Sequence, residues 1–241
     1  MRDGSDYGSD YGSDHGSDHA SGHGNGHGVD TGTYRLFPMM WGTFLLDGGA
    51  MFGVIPKTMW NKLIPADADN RIAMTMRSLL LVGGGRKVVI ECGGGRKLSE
   101  KLQQIYHLDF SGETVPATFA RAGITPEEVT DVFLTHLHFD HASEATRRLP
   151  SGEIVPAFPR ARYYVQKRHY EHALAPTERD RASFFPDDFV PLREAGLLEL
   201  VDGPVKDIIP GVDLLAGSGH TPHQQAVLVK GKTSYLFTGD N

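Results

Sequence analysis

Three histidines and an aspartate, His136, His138, Asp140 and His141, fall within six positions of the stretch Asp-Val-Phe-Leu-Thr-His-Leu-His-Phe-Asp-His that begins at Asp131. Two-residue spacing in an extended or tightly turning backbone sends the imidazoles of His136 and His138 off the same side, where they can chelate one ion. Asp140 and His141 follow in the turn and point elsewhere, toward a second ion. Imidazole and carboxylate are ligands that Zn(II) accepts at about 2.0–2.2 Å, and Fe(II) or Mn(II) tolerates the same set. The plain alternative is a solvated His-rich loop. It is disfavoured because residues 132–134 are apolar and read as a buried strand that delivers the cluster.

The elements that must hold this stretch follow a strand-helix-strand order, which argues for a mixed α/β architecture with helices on the outer sheet faces. Residues 44–46 read as a strand entering the Asp47-Gly48-Gly49 turn, and residues 78–82 and 87–90 as two strands joined at Gly83-Gly84-Gly85. Residues 116–122 are helical in composition and stop at Gly123. Thr125-Pro126-Glu127-Glu128 carries a cap residue, a first-turn proline and two acids, the start signals of a short helix. Beyond His141 the expectations are two helical turns over 143–149, a strand over 162–166, a helix over 167–174 and a polar helix over 177–185. Strands follow over 197–201 and 212–215, with a hairpin over 225–229 and 234–237. His169 and His172 are expected at the surface or in a cap, and Phe184, Phe185 and Phe189 in a flap over the pocket.

Composition allows one domain of about 210 residues, 31–241, after a Gly/Ser/Asp/His-rich segment over residues 1–30 that has almost nothing to bury and reads as a disordered tail. Its histidines, His15, His19, His23 and His27, are weak metal-capture candidates beside a plain solvated tail. The formal charge of −6 is concentrated there, six Asp against one Arg, and the rest is close to neutral. Nothing marks a nucleic-acid or anionic-membrane surface. The N-terminus lacks the apolar segment of a secretory signal, and the most apolar run, residues 36–46, contains Pro38 and Gly42 and falls short of the ~20 residues of a spanning helix. The single cysteine, Cys92, reads as a small buried hydrophobe and fits a reducing, cytoplasmic setting.

Thr135-His136-Leu137-His138-Phe139-Asp140-His141 resembles the signature of the metallo-β-lactamase superfamily. The resemblance spans roughly residues 80–240 and implies an αβ/βα four-layer sandwich with one or two metals between two sheets. His220, in Gly217-Ser218-Gly219-His220-Thr221-Pro222-His223, resembles the family's third metal ligand, with His223 a weaker candidate. Asp240, in Thr238-Gly239-Asp240, resembles the carboxylate that bridges two metals. Where members commonly have Asp-Thr-Gly, with the acid supporting the metal loop, this chain has Glu91-Cys92-Gly93, an acid one methylene longer and a thiol in place of a hydroxyl, so the resemblance does not carry the supporting role over to Glu91. Met51, Phe52, Val54 and Ile55 stand where members often have a loop overhanging the site, and filling the sheet core is the alternative. The Gly-His-Thr-Pro spacing and Val165-Gln166-Lys167-Arg168-His169-Tyr170-Glu171 look most like the acyl-homoserine-lactone lactonase branch and its organophosphate-hydrolysing relatives.

The resemblance implies His136, His138 and His220 on one zinc and Asp140, His141 and Asp240 on a second. Hydrolysis of a small ester or lactone would follow by attack of a hydroxide held between ions about 3.5–4 Å apart, with Asp140 passing the proton to the leaving group. Phosphotriesters, thioesters or β-lactams on the same ions, mono-iron dioxygenase chemistry, or metal binding without turnover are the alternatives. Members continue beyond the equivalent of Asp240 with further strands, a helix and a last histidine, so a C-terminally truncated sheet is expected, with an edge open to association between copies. The expected partner is a small-molecule substrate.

Overall fold

The computed structural model of the protein describes residues 28–240. β1 (Val29–Asp30) pairs antiparallel with the start of β2 (Arg35–Asp47), so the last two residues read as tail belong to a strand. The four tail histidines lie outside the described residues. Asp47 ends β2 by capping α1 (Gly48–Phe52), its carboxylate accepting from the Ala50 amide at 2.8 Å, and the expected glycine turn becomes a short helix. α2 (Lys57–Trp60) follows, with Phe52 stacked on Trp60. Met51, Val54 and Ile55 are exposed at this tip, Val54 to 99%, and do not fill the sheet core.

β3 (Arg71–Gly83) pairs along the length of β2 and turns into β4 (Arg86–Ile90) through Gly84 and Gly85. Both have positive φ, 56° and 75°, the backbone that a two-residue hairpin with right-handed twist requires. α3 (Glu100–Ile105) and α4 (Val115–Ala122) cross over to β5 (Asp131–Phe133). α5 (Phe139–Ala142) follows the His-rich loop. β6 (Thr146–Arg148) and β7 (Ile154–Pro156) make a small hairpin, and β8 (Arg162–Gln166) runs into α6 (Lys167–Leu174). α7 (Val190–Glu194) leads to β9 (Leu198–Val201). β10 (Val205–Ile209), β11 (Val212–Ala216), β12 (Gln225–Val229) and β13 (Tyr235–Phe237) close the described chain.

In the described residues the strands make a seven-stranded sheet in the order β1-β2-β3-β4-β5-β8-β9 and a four-stranded antiparallel sheet in the order β10-β11-β12-β13. β4, β5, β8 and β9 are parallel. Burial on both faces explains the apolar runs of β4 and β5 and of residues 163–165 in β8, whereas β9 at the sheet edge exposes Glu199. In β4, Val88 and Ile90 face the second sheet with Phe133, Tyr164, Val212, Leu214 and Val227, while Val89 faces the helix side with Val132, Phe119, Phe158 and Leu192. Helices, sheet and sheet are therefore layers of the expected mixed α/β sandwich. Among the described residues no helix is long and apolar enough to cross a membrane.

Two expected helices do not form. Residues 146–148 pair with 154–156 instead of coiling, a tertiary choice that local composition does not carry. Within 177–185 only a 3-10 turn over Arg181–Ser183 is present, because Asp180 is taken up by Thr177 Oγ1 at 2.7 Å and His172 Nε2 at 2.6 Å. The turn at Thr125 is likewise 3-10, with Thr125 as the expected cap and Glu128 accepting in return from the Thr125 amide at 2.9 Å.

A buried ion pair staples the loops behind the His-rich stretch. Lys97 Nζ lies 3.1 Å from Asp188 Oδ1 and also donates to the Ser143 and Thr146 carbonyls, and Ser143 Oγ donates to Asp188 at 3.2 Å. Burial pushes the Asp188 carboxyl up to about 6 despite Lys97, from an ordinary 3.8. The folded state then binds more protons than the unfolded one, so this group's contribution to stability is present below about pH 4 and is lost as pH rises through about 6. Asp188→Asn removes that dependence: the stability of the wild type relative to the variant should fall by on the order of 3 kcal/mol between pH 4 and 6.5. Urea unfolding across that range checks it, and a difference that stays constant with pH would mean Asp188 titrates as it does in the unfolded chain.

Candidate metal centre

Open parallel sheets present loops at the carboxyl ends of their strands, and this site is built there. β5 ends and the chain passes through Thr135 into His136 and His138, the latter in extended backbone as the N-cap of α5, which carries Asp140 and His141. His220 comes from the β11–β12 turn, and Asp240 follows β13. Gln225 ties the two sheets at this end. Its amide nitrogen donates to the carbonyls of Leu134 at 2.9 Å and Tyr164 at 3.1 Å, and its backbone N–H to Thr135 O. Close approach is secured by glycine. A Cβ on Gly93 would meet the Asp140 carbonyl at 2.5 Å, and one on Gly239, whose φ is 59°, would meet Thr135 Oγ1 at 2.3 Å.

All six expected ligands converge. One nitrogen from each of His136, His138 and His220 lies within 4.8 Å of the others, and the same holds for ligand atoms of Asp140, His141 and Asp240. His138 Nδ1 and His220 Nε2 are 3.0 Å apart. Asp240 stands between the two groups, with Oδ1 3.2 Å from His141 Nε2 and Oδ2 3.4 Å from His220 Nε2. Asp140 Oδ2 is 3.2 Å from His141 Nε2.

The two groups differ electrostatically. Burial pushes His136 well below the ordinary imidazole value and His138 down to about 3, so both rings are neutral and keep a lone pair for a ligand. Burial also pulls His141 down, but the carboxylates of Asp140 and Glu91 outweigh it and hold the ring well above its ordinary value. In turn His141 outweighs burial at Asp140 and Asp240 and holds both carboxyls low.

Glu91 performs the support that its extra methylene put in question. It is fully buried at φ 68°; Oε1 accepts from the Thr135 amide at 2.6 Å, and Oε2 is bonded to His141 Nδ1. That contact turns His141 Nε2 toward Asp140 and Asp240. Glu91 also groups with His136 and His141 at ligand distance, but both its oxygens are already engaged.

The residues fit a metal. His136 Nε2 is buried without a hydrogen-bond partner among the described residues, an arrangement that is costly unless something binds there. Three imidazoles beside two carboxylates and a fourth imidazole form an N/O donor set of the kind zinc accepts.

The remaining candidates sort differently. His223 is exposed at φ 59° and joins none of the ligand groups. His169 and His172 are not surface residues: His169 is 0% exposed and His172 is bonded to Asp180, partners that carry no sequence signature at that spacing. Of the three phenylalanines expected in a flap, Phe184 packs edge-on to His138, ring centroids 4.7 Å apart, whereas Phe185 lies against Phe139 and Phe189 against Tyr170 in the core. Cys92 is buried, and burial pushes its thiol well above its ordinary value, as befits an inert hydrophobe. Sequence reasoning did not single out Tyr106, whose ring stacks on Phe139 beside Asp140.

Residues 77–241 match the metallo-beta-lactamase superfamily, and the chain belongs to that family. It is similar to an N-acyl homoserine lactonase of a Bacillus species, 30% identical over 114 residues that cover 47% of this chain and 38% of that one. It is also similar to a ribonuclease of Thermus thermophilus, 27% identical over 183 residues covering 74% and 37%. The chain thus spans less than two-fifths of the length of these curated relatives. A solved structure of a probable metal-dependent hydrolase from Staphylococcus aureus superposes with a TM-score of 0.78 at 26% identity, covering 88% of this chain and 74% of that one. A quorum-quenching N-acyl homoserine lactone lactonase superposes with a TM-score of 0.60 at 22% identity, covering 86% and 74%, a likeness of fold.

Replacing Glu91 separates support from ligation. Glu91→Gln leaves one acceptor for two buried donors, so the metal-free protein should lose about 1–3 kcal/mol in urea unfolding, and zinc affinity should fall roughly 10- to 100-fold. Chelator-competition titration reads the affinity, and wild-type values in both measurements would remove Glu91 from the supporting role.

Proposed function

We propose that the chain carries the metal site of a metal-dependent hydrolase, a dinuclear zinc enzyme acting on a small ester or lactone. The observation that supports this most is the position of Asp240, which offers one carboxylate oxygen to the His220 side and the other to His141. His136, His138 and His220 would hold one ion and Asp140, His141 and Asp240 the other. Zinc at these groups would supply a water ionised near neutral pH and would polarise the carbonyl under attack.

The chain's own residues do the rest. Asp140, whose Oδ2 lies 3.2 Å from His141 Nε2, takes the proton of the attacking water on its carboxylate. The water oxygen bonds to the carbonyl carbon, the bond to the leaving oxygen breaks, and Asp140 returns the proton to that oxygen. Phe184 against His138 and the stacked Tyr106 and Phe139 rings give the site two apolar flanks. Kinship to a lactonase supports a lactone or related ester. The near-neutral charge beyond residue 30 argues against RNA, despite the ribonuclease relative, since a polyanion needs a basic track. A single buried cysteine supports a reducing, cytoplasmic setting.

Elemental analysis of the purified chain, with lactone and RNA hydrolysis assayed on the same sample before and after chelation, tests this reading. About two zincs per chain and a lactone turnover that chelation abolishes and zinc restores are expected, with RNA left intact. A zinc-replete chain that cleaves only RNA, or neither substrate, would overturn the substrate assignment; a chain that takes up no metal would overturn the site. His136→Ala and Asp140→Ala should each abolish the chelator-sensitive turnover, and a variant that keeps wild-type activity takes its residue out of the mechanism.

A further inference from the structure

We propose that His169 is a positioning residue that sets the spacing between the His136–His138 pair and His220 by bridging the two turns that carry them. The proposal rests on the metal-site reading above. His169 lies on α6, outside the β5 and β11–β12 loops, and its imidazole is completely buried. Its Nε2 accepts a hydrogen bond from the Leu137 amide at 2.9 Å, which fixes the proton on Nδ1. From there it donates to the Pro222 carbonyl at 2.7 Å. Leu137 sits between the two ligand histidines and Pro222 two residues beyond His220. One neutral ring therefore connects two backbone segments 85 residues apart in sequence.

The ring is not itself a ligand. It joins none of the groups of converging ligand atoms, and its centroid is 6.2 Å from that of His136. What it supplies is a fixed distance. Residues 217–220 of the β11–β12 turn are exposed, and the ring contacts of His220 are with the ligand rings of His136 and His138 themselves. The turn is tied by Gly217 N to Gln224 O, by His223 N to Ser218 Oγ and, toward the His-rich loop, through His169. Phe184 and His172 pack around the ring and leave it little freedom to rotate. Burial keeps it neutral, its pKa pushed down to about 4, so the acceptor at Nε2 persists across the working pH range. Groups that orient metal ligands in this way typically change metal affinity 10- to 100-fold when replaced.

The test compares wild type with His169→Phe, which keeps a buried ring and loses both hydrogen bonds, and with His169→Gln, which retains an acceptor and a donor. Zinc affinity is read by chelator competition, ligand geometry by the visible absorption spectrum of the cobalt(II) form, and fold by thermal unfolding of the metal-free protein. His169→Phe should bind zinc roughly 10- to 100-fold more weakly and change the cobalt spectrum, and His169→Gln should recover part of both. A purely structural role would lower the unfolding midpoint and leave affinity and spectrum unchanged, and that result overturns the proposal. Should the Phe variant fail to fold, His169→Gln and His169→Asn decide it, and wild-type affinity and spectrum in both count against it. A wild-type chain that binds neither zinc nor cobalt is a different failure, since it removes the metal site as well.

Discussion

A carboxylate with no solvent contact is the constraint on which the site depends. Glu91 ends β4 in a left-handed backbone conformation that a side-chain-bearing residue adopts at a cost, and its two oxygens satisfy the Thr135 amide and the His141 ring. Were it merely buried, the group would be strongly unfavourable. Bonded at both oxygens, it becomes a joint between two neighbouring parallel strands and the loop that leaves one of them. The positive φ is part of the same arrangement, since it turns the side chain off the sheet and into the space beneath the loop. Cys92 N then bonds to His141 O, and Gly93 leaves room for the Asp140 backbone. The loop is thereby held from below at each successive residue of Glu91-Cys92-Gly93.

The second sheet completes what the first begins. An apolar layer of Val88, Ile90, Phe133, Val212 and Val227 fixes the sheets face to face, and such contacts are non-directional. Direction comes from the polar residues at one end. Gln225 and Gln166, both buried, bond to each other at 2.8 Å, and Gln225 reaches the Leu134 carbonyl just past β5 and the Tyr164 carbonyl within β8. A slip of one sheet over the other would leave these amides without partners in an apolar surround, at a cost of about 1–3 kcal/mol for each. The network thus converts a greasy interface into a defined register, and that register brings His220 and Asp240 to the His-rich loop.

The same distinction explains what the sequence discloses. The His136–His141 cluster is legible because its ligands sit one or two residues apart at the end of an apolar strand, so local geometry alone groups them. His220 and Asp240 are legible only through resemblance, since no local rule joins positions a hundred residues apart. The strands over 87–90, 162–166 and 225–229 are legible because burial on both faces requires continuous apolar runs. The roles of Glu91, His169 and Gln225 leave little trace in the sequence for one reason: their partners are mostly backbone N–H and C=O groups, which every residue offers. Residues 146–148 escaped for a related one, since their conformation is decided by 154–156 rather than by their own side chains.

The charge distribution ties these features together. Three carboxylates, Glu91, Asp140 and Asp240, surround one imidazole, while the rings of His136 and His138 lie beside it uncharged. Asp140 and Asp240 repel one another, and burial pushes the Glu91 carboxyl above its ordinary value, so the three need a positive charge among them. His141 is that charge in the metal-free protein, where the carboxylates of Asp140 and Glu91 raise its affinity for a proton despite burial. A dication at the same place satisfies the same demand with twice the charge, so the acidity pattern and the ligand geometry express one property. On the side of His136 and His138 the rings are neutral, with Asp240 Oδ2 3.4 Å from His220 Nε2 supplying negative charge, and there the imidazoles attract a metal mainly through correctly aimed lone pairs. Precision of placement therefore matters more for His136, His138 and His220 than for the acidic group, which is why a bridge between their two turns has consequences for the metal that a contact elsewhere in the core would lack.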